Sequence, residues 1–315
     1  MGVEHNLSKQ AILVIVGPTA VGKTQLSLEI GQALSGEVIS ADSMQVYRGM
    51  DIGTAKPSIE EQRQVPHHLI DIRDPDQTFN AADFVSLAEE AVADIASRSK
   101  TPIVSGGTGL YIDALVDGFL FPDSKPDPKL RRELRLRASK EPDSLYEELK
   151  KVDPKSAERL HPNDLRRIVR ALEVYYRTGK PISVLQQKAA QQEKPYNPLF
   201  IGLTRDRPEL YERINKRVDQ MLLDGLVDEV TQLIGRYPHQ PTALQALGYK
   251  EIVWYLQNKM SLEEAVEVLK RDTRRYAKRQ LSWFRRNSRI HWFNLSDSEP
   301  MEIKDKVIKL WKGHV

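Results

Sequence analysis

Residues 17–24 read Gly-Pro-Thr-Ala-Val-Gly-Lys-Thr, a full match to the spacing G-x-x-x-x-G-K-[ST]. Each type has a physical task. The glycines let the backbone wrap so that successive N–H groups aim at one phosphate, and the following helix adds the positive end of its dipole. Lys23 supplies a point charge, and the Thr24 hydroxyl can hold Mg²⁺. A chain of 315 residues at average composition matches this pattern by chance about once in a hundred. Gly17, Pro18, Thr19, Ala20, Val21, Gly22, Lys23 and Thr24 are therefore the expected cradle for a di- or triphosphate. The motif does not say that phosphorus is what moves.

A second group stands at Asp42-Ser43-Met44-Gln45, directly after the strand-like run Glu37-Val38-Ile39-Ser40. In an open parallel sheet, the carboxyl ends of adjacent strands share one crevice. Asp42 should then face the same ligand as the phosphate loop, as a metal-linked group or a proton acceptor; the alternative is an aspartate that caps a turn. Gln45 carries a donor and an acceptor and could read the edge of a base, or could be a solvated loop amide. A nucleotide hydrolase usually carries an acid at the end of an apolar strand. Here Ile103-Val104 runs instead into Ser105-Gly106-Gly107-Thr108. The absence of cysteine excludes disulfides, thiolate metal sites and a cysteine nucleophile. His67-His68 lacks partners at ligand spacing, so zinc is not expected, and His161 before Pro162 reads as a loop-orienting residue.

These groups need a frame. Ala11 to Val16 is a β-rich run without polar alternation, as in a strand buried on both faces. A helical pattern follows the loop through Leu26, Leu28, Ile30 and Leu34. A polar stretch runs to about Pro66, and His68–Ile72 reads as a short strand. Asn80 is placed to cap a helix carrying Phe84, Leu87, Ala91 and Ile95. Strands alternating with helices predict a parallel α/β sheet. Pro122, Pro126 and Pro128 mark a boundary. From Lys129 to about Gln192 the pattern is helical and charged, after which Leu199–Leu203 returns to the sheet. The division is a core of residues 1–124 and 196–315 around a helical insertion, 125–195. Helices continue past Asp206 to about Arg286, Ile290–Phe293 is a last strand, and 300–312 a closing helix.

Net charge is +3, but residues 1–124 hold 8 Lys and Arg against 17 Asp and Glu, and residues 125–315 hold 39 against 27. That split suggests a small-ligand part and a part that meets a polyanion. Between Lys270 and Arg289 stand nine basic residues and one acid, Asp272. Arg271, Arg274, Arg275, Lys278 and Arg279 recur at helical spacing, a stripe suited to tracking phosphates or, in part, to facing a bound diphosphate. Arg166, Arg167 and Arg170 form a second basic face beside apolar Ile168, Val169, Ala171 and Leu172. Trp283 and Trp292 are expected in the core rather than as stacking platforms. No apolar run approaches the ~20 residues of a membrane helix, and Met1–Asn6 lacks the order of a signal peptide. A cytoplasmic protein with no membrane partner is expected, and a monomer, since no long apolar seam stands out.

Several strings together resemble the bacterial tRNA dimethylallyltransferases: residues 17–24, Asp42–Tyr47, Met50–Pro57, Pro66–Asp71, Gly106–Tyr111, His161–Asp164, Arg166–Glu173 and Ala277–Arg285. The likeness runs from about residue 10 to 295 in order. It implies a P-loop NTPase or kinase-like parallel sheet core with an inserted helical domain. It also implies transfer of a dimethylallyl group from dimethylallyl diphosphate to N6 of adenosine 37 beside the tRNA anticodon. The loop would hold the donor's diphosphate with Mg²⁺, and Asp42 would be the base. Asp42, Ser43, Met44 and Gln45 would contact the flipped adenine, and Thr108 and Arg131 the tRNA. Arg166, Arg167, Arg170, Lys278, Arg279 and Arg285 are the further RNA-contact candidates from the basic faces. Arg213 and Arg217 fall in a segment linked to donor binding, without a decision between them. The Asp-rich clusters by which terpenoid prenyltransferases hold diphosphate are absent. Two other classes remain open on the residues alone: a small-molecule or nucleoside kinase with Asp42 as base, and a non-catalytic RNA-binding ATPase. The basic stripe speaks against the first and the missing strand-end acid against the second.

Overall fold

Ile12, Leu13, Val14, Ile15 and Val16 have no exposed surface, as a strand covered on both faces must. In the computed structural model, which describes residues 9–118, 127–191, 193–237 and 243–315, this strand is β1 (Gln10–Val16). It lies third from one edge of a six-stranded sheet with β2 (Gly36–Ser40), β3 (His67–His68), β4 (Thr101–Gly106), β5 (Tyr196–Thr204) and β6 (Ile290–Asn294). The order is β3-β2-β4-β1-β5-β6, and every pairing is parallel. The register sets Val16 beside Gly106 and Ser40 beside Ser105, so three strands end level with one another.

The helices are α1 (Lys23–Ala33), α2 (Ile59–Gln64), α3 (Ala81–Ser97), α4 (Gly109–Asp117), α5 (Pro128–Lys140), α6 (Ser144–Val152), α7 (Pro154–Arg159), α8 (Leu165–Thr178), α9 (Ile182–Gln191), α10 (Arg207–Leu223), α11 (Leu226–Arg236), α12 (Tyr249–Leu256), α13 (Leu262–Phe284) and α14 (Pro300–Lys312). The chain divides into two compact units, Met1–Val116 with Pro195–Val315, and Asp117–Lys194. In the first, Leu13, Ile15, Ile103, Ile201 and Leu203 of the sheet pack with Leu26 and Ile30 of α1, Ile214 of α10, Ala277 of α13 and Trp311 of α14. In the second, Leu134, Leu149, Ile168, Val169 and Leu172 build a separate helical core.

Local chemistry explains the element ends. Asn80 accepts from Ala82 N and Asp83 N, and Asp83 answers to Asn80 N, a reciprocal cap for α3. Pro128 opens α5 behind an Asp127 cap. Pro122 and Pro126, read as boundary markers with it, lie outside the described residues. The expected strand His68–Ile72 is corrected: pairing covers only His67 and His68, because Leu69 (φ 63°) and Asp71 (φ 55°) turn into left-handed conformations. The polar stretch before Pro66 contains α2, whose start is fixed by a reciprocal Ser58–Glu61 capping box.

Candidate active site

The phosphate loop joins β1 to α1. Gly22 sits at φ 118° as the residue before the helix, a conformation that glycine alone adopts without strain, and Ala20 is left-handed at φ 64°. The Lys23 ammonium folds back over the loop and donates to Gly17 O (3.0 Å) and Pro18 O (2.9 Å). Val21 is fully buried and its N–H reaches Pro18 O, so it shapes the loop from beneath.

Beside the loop opens a cavity of about 260 Å³. Thr19, Ala20, Gly22, Lys23 and Thr24 line one side, and Asp42, Gln45, Arg213, Arg217, Tyr276 and Gln280 are among the other walls. The sequence had not chosen between Arg213 and Arg217; both line the cavity, one turn apart on α10. Arg213 Nε donates to Ala20 O at 3.0 Å. Burial and the neighbouring Arg213 push the Arg217 pKa down. Burial, then the Arg217 charge, bring Lys23 down to about 8, against the pull of Asp42. Lys23 and Arg217 are both half-buried and line the cavity. Three cations thus converge without an ion pair to any described carboxylate.

Asp42 caps a turn, as one of its expected readings has it, and also lines the cavity. Its Oδ1 accepts from Met44 N (2.8 Å) and Gln45 N (3.4 Å). Gln45 has both ends of its amide held. Its Oε1 accepts from Ser40 Oγ (2.9 Å), and its Nε2 donates to Thr54 O and Ala55 O. Thr108 Oγ1 accepts from Ser43 N (3.2 Å), tying the turn after β4 to the turn after β2.

Several groups at the cavity were not singled out in the sequence for this role. Tyr276 has its hydroxyl pKa pushed up, first by burial and then by Asp42. His67 lines the far part, with its Nδ1 at 2.7 Å from Val65 O. Gln280 was detectable: it falls on the buried stripe of α13 with Ala265, Leu269, Ala277 and Phe284, where an amide needs a reason. Among the described residues no cluster of three metal-ligating side chains occurs.

The basic stripe of α13 is corrected in part. Lys270 pairs with Asp219 (2.6 Å), Arg271 and Arg275 share Asp272, and Arg274 donates to Asn215 Oδ1 (2.6 Å). The stripe's first half therefore has partners, two carboxylates and one amide for four cations. Lys278, Arg279 and Arg285 are exposed, with Arg279 over the Tyr276 ring at 5.7 Å. In the helical unit, Arg131 makes a two-point pair with buried Glu173, which Arg170 also meets. Arg167 pairs with Asp164, and Arg166 is exposed. His161 Nδ1 accepts from Asn163 N, as a loop-orienting residue should. Trp283 is half-buried and donates to Asp113 Oδ2 (2.9 Å), and Trp292 packs at Gly202.

The family model described as IPP transferase matches residues 45–287. A tRNA dimethylallyltransferase of Halothermothrix orenii is 50% identical over 301 residues, covering 95% of this chain and 92% of that one. The full-length tRNA isopentenylpyrophosphate transferase of Bacillus halodurans superposes with a TM-score of 0.72 at 46% identity, with 96% of each chain covered. A eukaryotic dimethylallyltransferase seen acting on tRNA superposes with a TM-score of 0.79 at 35% identity, covering 91% of this chain and 74% of its own.

Proposed function

The chain belongs to the IPP transferase family, and from that premise we propose that it moves a dimethylallyl group from dimethylallyl diphosphate to N6 of adenosine 37 in the tRNA anticodon loop. The observation that carries this reading is the charge balance of the cavity: Lys23, Arg213 and Arg217 face it against two carboxylates, Asp42 and Glu61, and Glu61 is already engaged by Ser58 N in its helix cap. Cations that no described carboxylate neutralises in an ion pair are suited to hold an anion. A pyrophosphate leaving group is the anion that allylic transfer produces.

The chemistry follows from these groups. The allylic carbon–oxygen bond breaks and its electron pair stays on pyrophosphate. Lys23, both arginines and the loop N–H groups stabilise that charge, each such donor being worth about 10²–10³-fold in rate. The N6 lone pair is delocalised into the purine, so the amine is a poor nucleophile and becomes acidic only as the new C–N bond forms. Asp42 then takes the proton, a late-base role worth about 10²–10⁴-fold. The base must leave its stack, which costs a few kcal/mol and is cheapest in an RNA loop. Asp42, Ser43, Met44, Gln45 and Thr108 are the proposed contacts to it, Gln45 with an amide oriented in advance by Ser40. Arg131, Arg166, Arg167, Arg170, Lys278, Arg279 and Arg285 are the proposed contacts to the rest of the tRNA.

The oxygen donors suit Mg²⁺, which usually keeps several waters and binds through one or two protein groups plus substrate phosphates. Thr24 lines the cavity and would hold it together with the diphosphate oxygens. Bound there, it would help neutralise the diphosphate.

The test is incubation with unmodified tRNA, Mg²⁺ and either dimethylallyl diphosphate or ATP. Prenylated adenosine with the first donor alone is the expected result. ADP release with the second would replace this reading with a kinase or an ATPase.

A further inference from the structure

We propose that Gln280 closes the phosphate loop to a third phosphate, so that a loop of the triphosphate-binding type accepts a diphosphate and turns a triphosphate away. The inference rests on the reading that this loop holds a diphosphate.

The strands β1 and β4 are parallel neighbours with Val16 beside Gly106. The loop after β1 and the Gly107 turn after β4 therefore lie side by side, at the edge of the crevice where an open parallel sheet binds ligands. Gln280 of α13 bridges the two. Its Nε2 donates to Gly107 O at 3.0 Å, and its Oε1 accepts from Thr19 N at 2.9 Å. The side chain is 6% exposed and lines the cavity.

An inventory of loop donors shows the consequence. Pro18 has no N–H. The Thr19 N–H is held by Gln280, and the Val21 N–H by Pro18 O. From Pro18 onward, the N–H groups left to meet a ligand come from Ala20, Gly22 and the first turn of α1, all beyond Thr19. At Thr19 the loop presents the Gln280 carbonyl oxygen in place of a free N–H, the negative end of an amide dipole. That amide cannot turn over without setting N–H against N–H at Thr19 and oxygen against oxygen at Gly107. Nor can it retreat freely: a Cβ at residue 107 would stand 2.1 Å from Nε2, so the amide is seated against bare glycine backbone. A third phosphoryl group would meet a fixed carbonyl where it needs a donor.

The experiment titrates pyrophosphate and tripolyphosphate, each with Mg²⁺, into the full chain and into Gln280→Ala and Gln280→Met. The readout is the ratio of the two dissociation constants, which a merely structural weakening of the loop would leave unchanged. The wild-type chain should favour pyrophosphate at least tenfold despite the larger charge of tripolyphosphate. In both variants the preference should fall below threefold, even where both affinities drop. Met fills similar volume without a carbonyl, so it reports if the Ala variant does not fold. Absence of a preference in the wild type, or its survival in a folded variant, overturns the proposal. Dimethylallyl transfer to tRNA is measured on the same wild-type sample. Transfer without a diphosphate preference defeats this inference alone, whereas absence of both transfer and pyrophosphate binding defeats the reading beneath it.

Discussion

Two acidic residues five positions apart stand at opposite ends of β2 and meet opposite surroundings. Glu37, at the strand's start, is buried and fully answered: Arg98 Nη2 lies 2.9 Å away, Lys100 Nζ 2.7 Å and His68 Nε2 2.7 Å. Its carboxyl is held well below the usual range, chiefly by the Arg98 hydrogen bonds. Asp42, just past the strand's end, has turn N–H groups on one oxygen and a cavity in front of it, across which Lys23, Arg213 and Arg217 gather. One end compensates a charge within the protein and ties β2 to its neighbours. The other leaves an excess of positive charge around a space. Burial of ions is costly unless they are paired, so the second arrangement makes sense as a site whose counter-charge arrives with the ligand. Motif matching flagged the loop. It is the charge imbalance that separates the proposed proton acceptor just past β2 from the structural carboxylate on the strand.

That contrast can be broken or sharpened by experiment. The largest effect is expected for Asp42→Asn: single-round transfer should fall about 10²–10⁴-fold, with tRNA affinity within a few fold of wild type. A rate close to wild type would remove Asp42 as proton acceptor. Next is the pH dependence of diphosphate binding. Lys23 has a folded-state pKa of about 8, and a bound anion favours its charged form. Pyrophosphate affinity should therefore weaken as pH rises through about 8, approaching roughly tenfold per pH unit above it. Because the folded value lies below the ordinary ~10.4, the ligand-free chain should gain stability over the same interval. A flat binding profile would mean that Lys23 does not touch the anion. The smallest kinetic effect is expected at the other end of β2. Glu37→Gln should leave transfer within about twofold while lowering stability by roughly 1–3 kcal/mol at neutral pH. The stabilisation by the ionised carboxyl is present above its unfolded value and lost as pH falls towards its folded one. The stability gap between wild type and variant should thus narrow below pH ~4.3 in acid unfolding curves. A marked loss of turnover in Glu37→Gln would erase the distinction between the two ends.

Much of this was legible beforehand because the signals are local. Ala11–Val16 is apolar throughout, as burial on both faces requires, and Asn80 with Asp83 spells out a helix start within four residues. The loop carries its chemistry in eight consecutive residues. Errors arose where a distant partner decides. The α13 stripe reads as unpaired charge because Asp219 and Asn215, which meet Lys270 and Arg274, come from α10. The short strand after Pro66 reads as longer because nothing in Leu69 or Asp71 announces a left-handed backbone. Gln280 is visible only as an amide on an apolar helical face; its partners stand 261 and 173 residues away.

The sequence by itself determined the parallel α/β order of elements, the phosphate loop, and the placing of Asp42 at a strand end. Each depends on residue type and spacing along a few turns of chain, where sterics and hydrogen bonding act at short range. Only the tertiary structure decided which charges are answered and which are left facing a cavity. Arg213 and Arg217 join Lys23, Gln280 takes the Thr19 amide, and half of the α13 cations find partners. Charge compensation acts through space, and the sheet register and helix packing bring together groups that the chain itself keeps far apart.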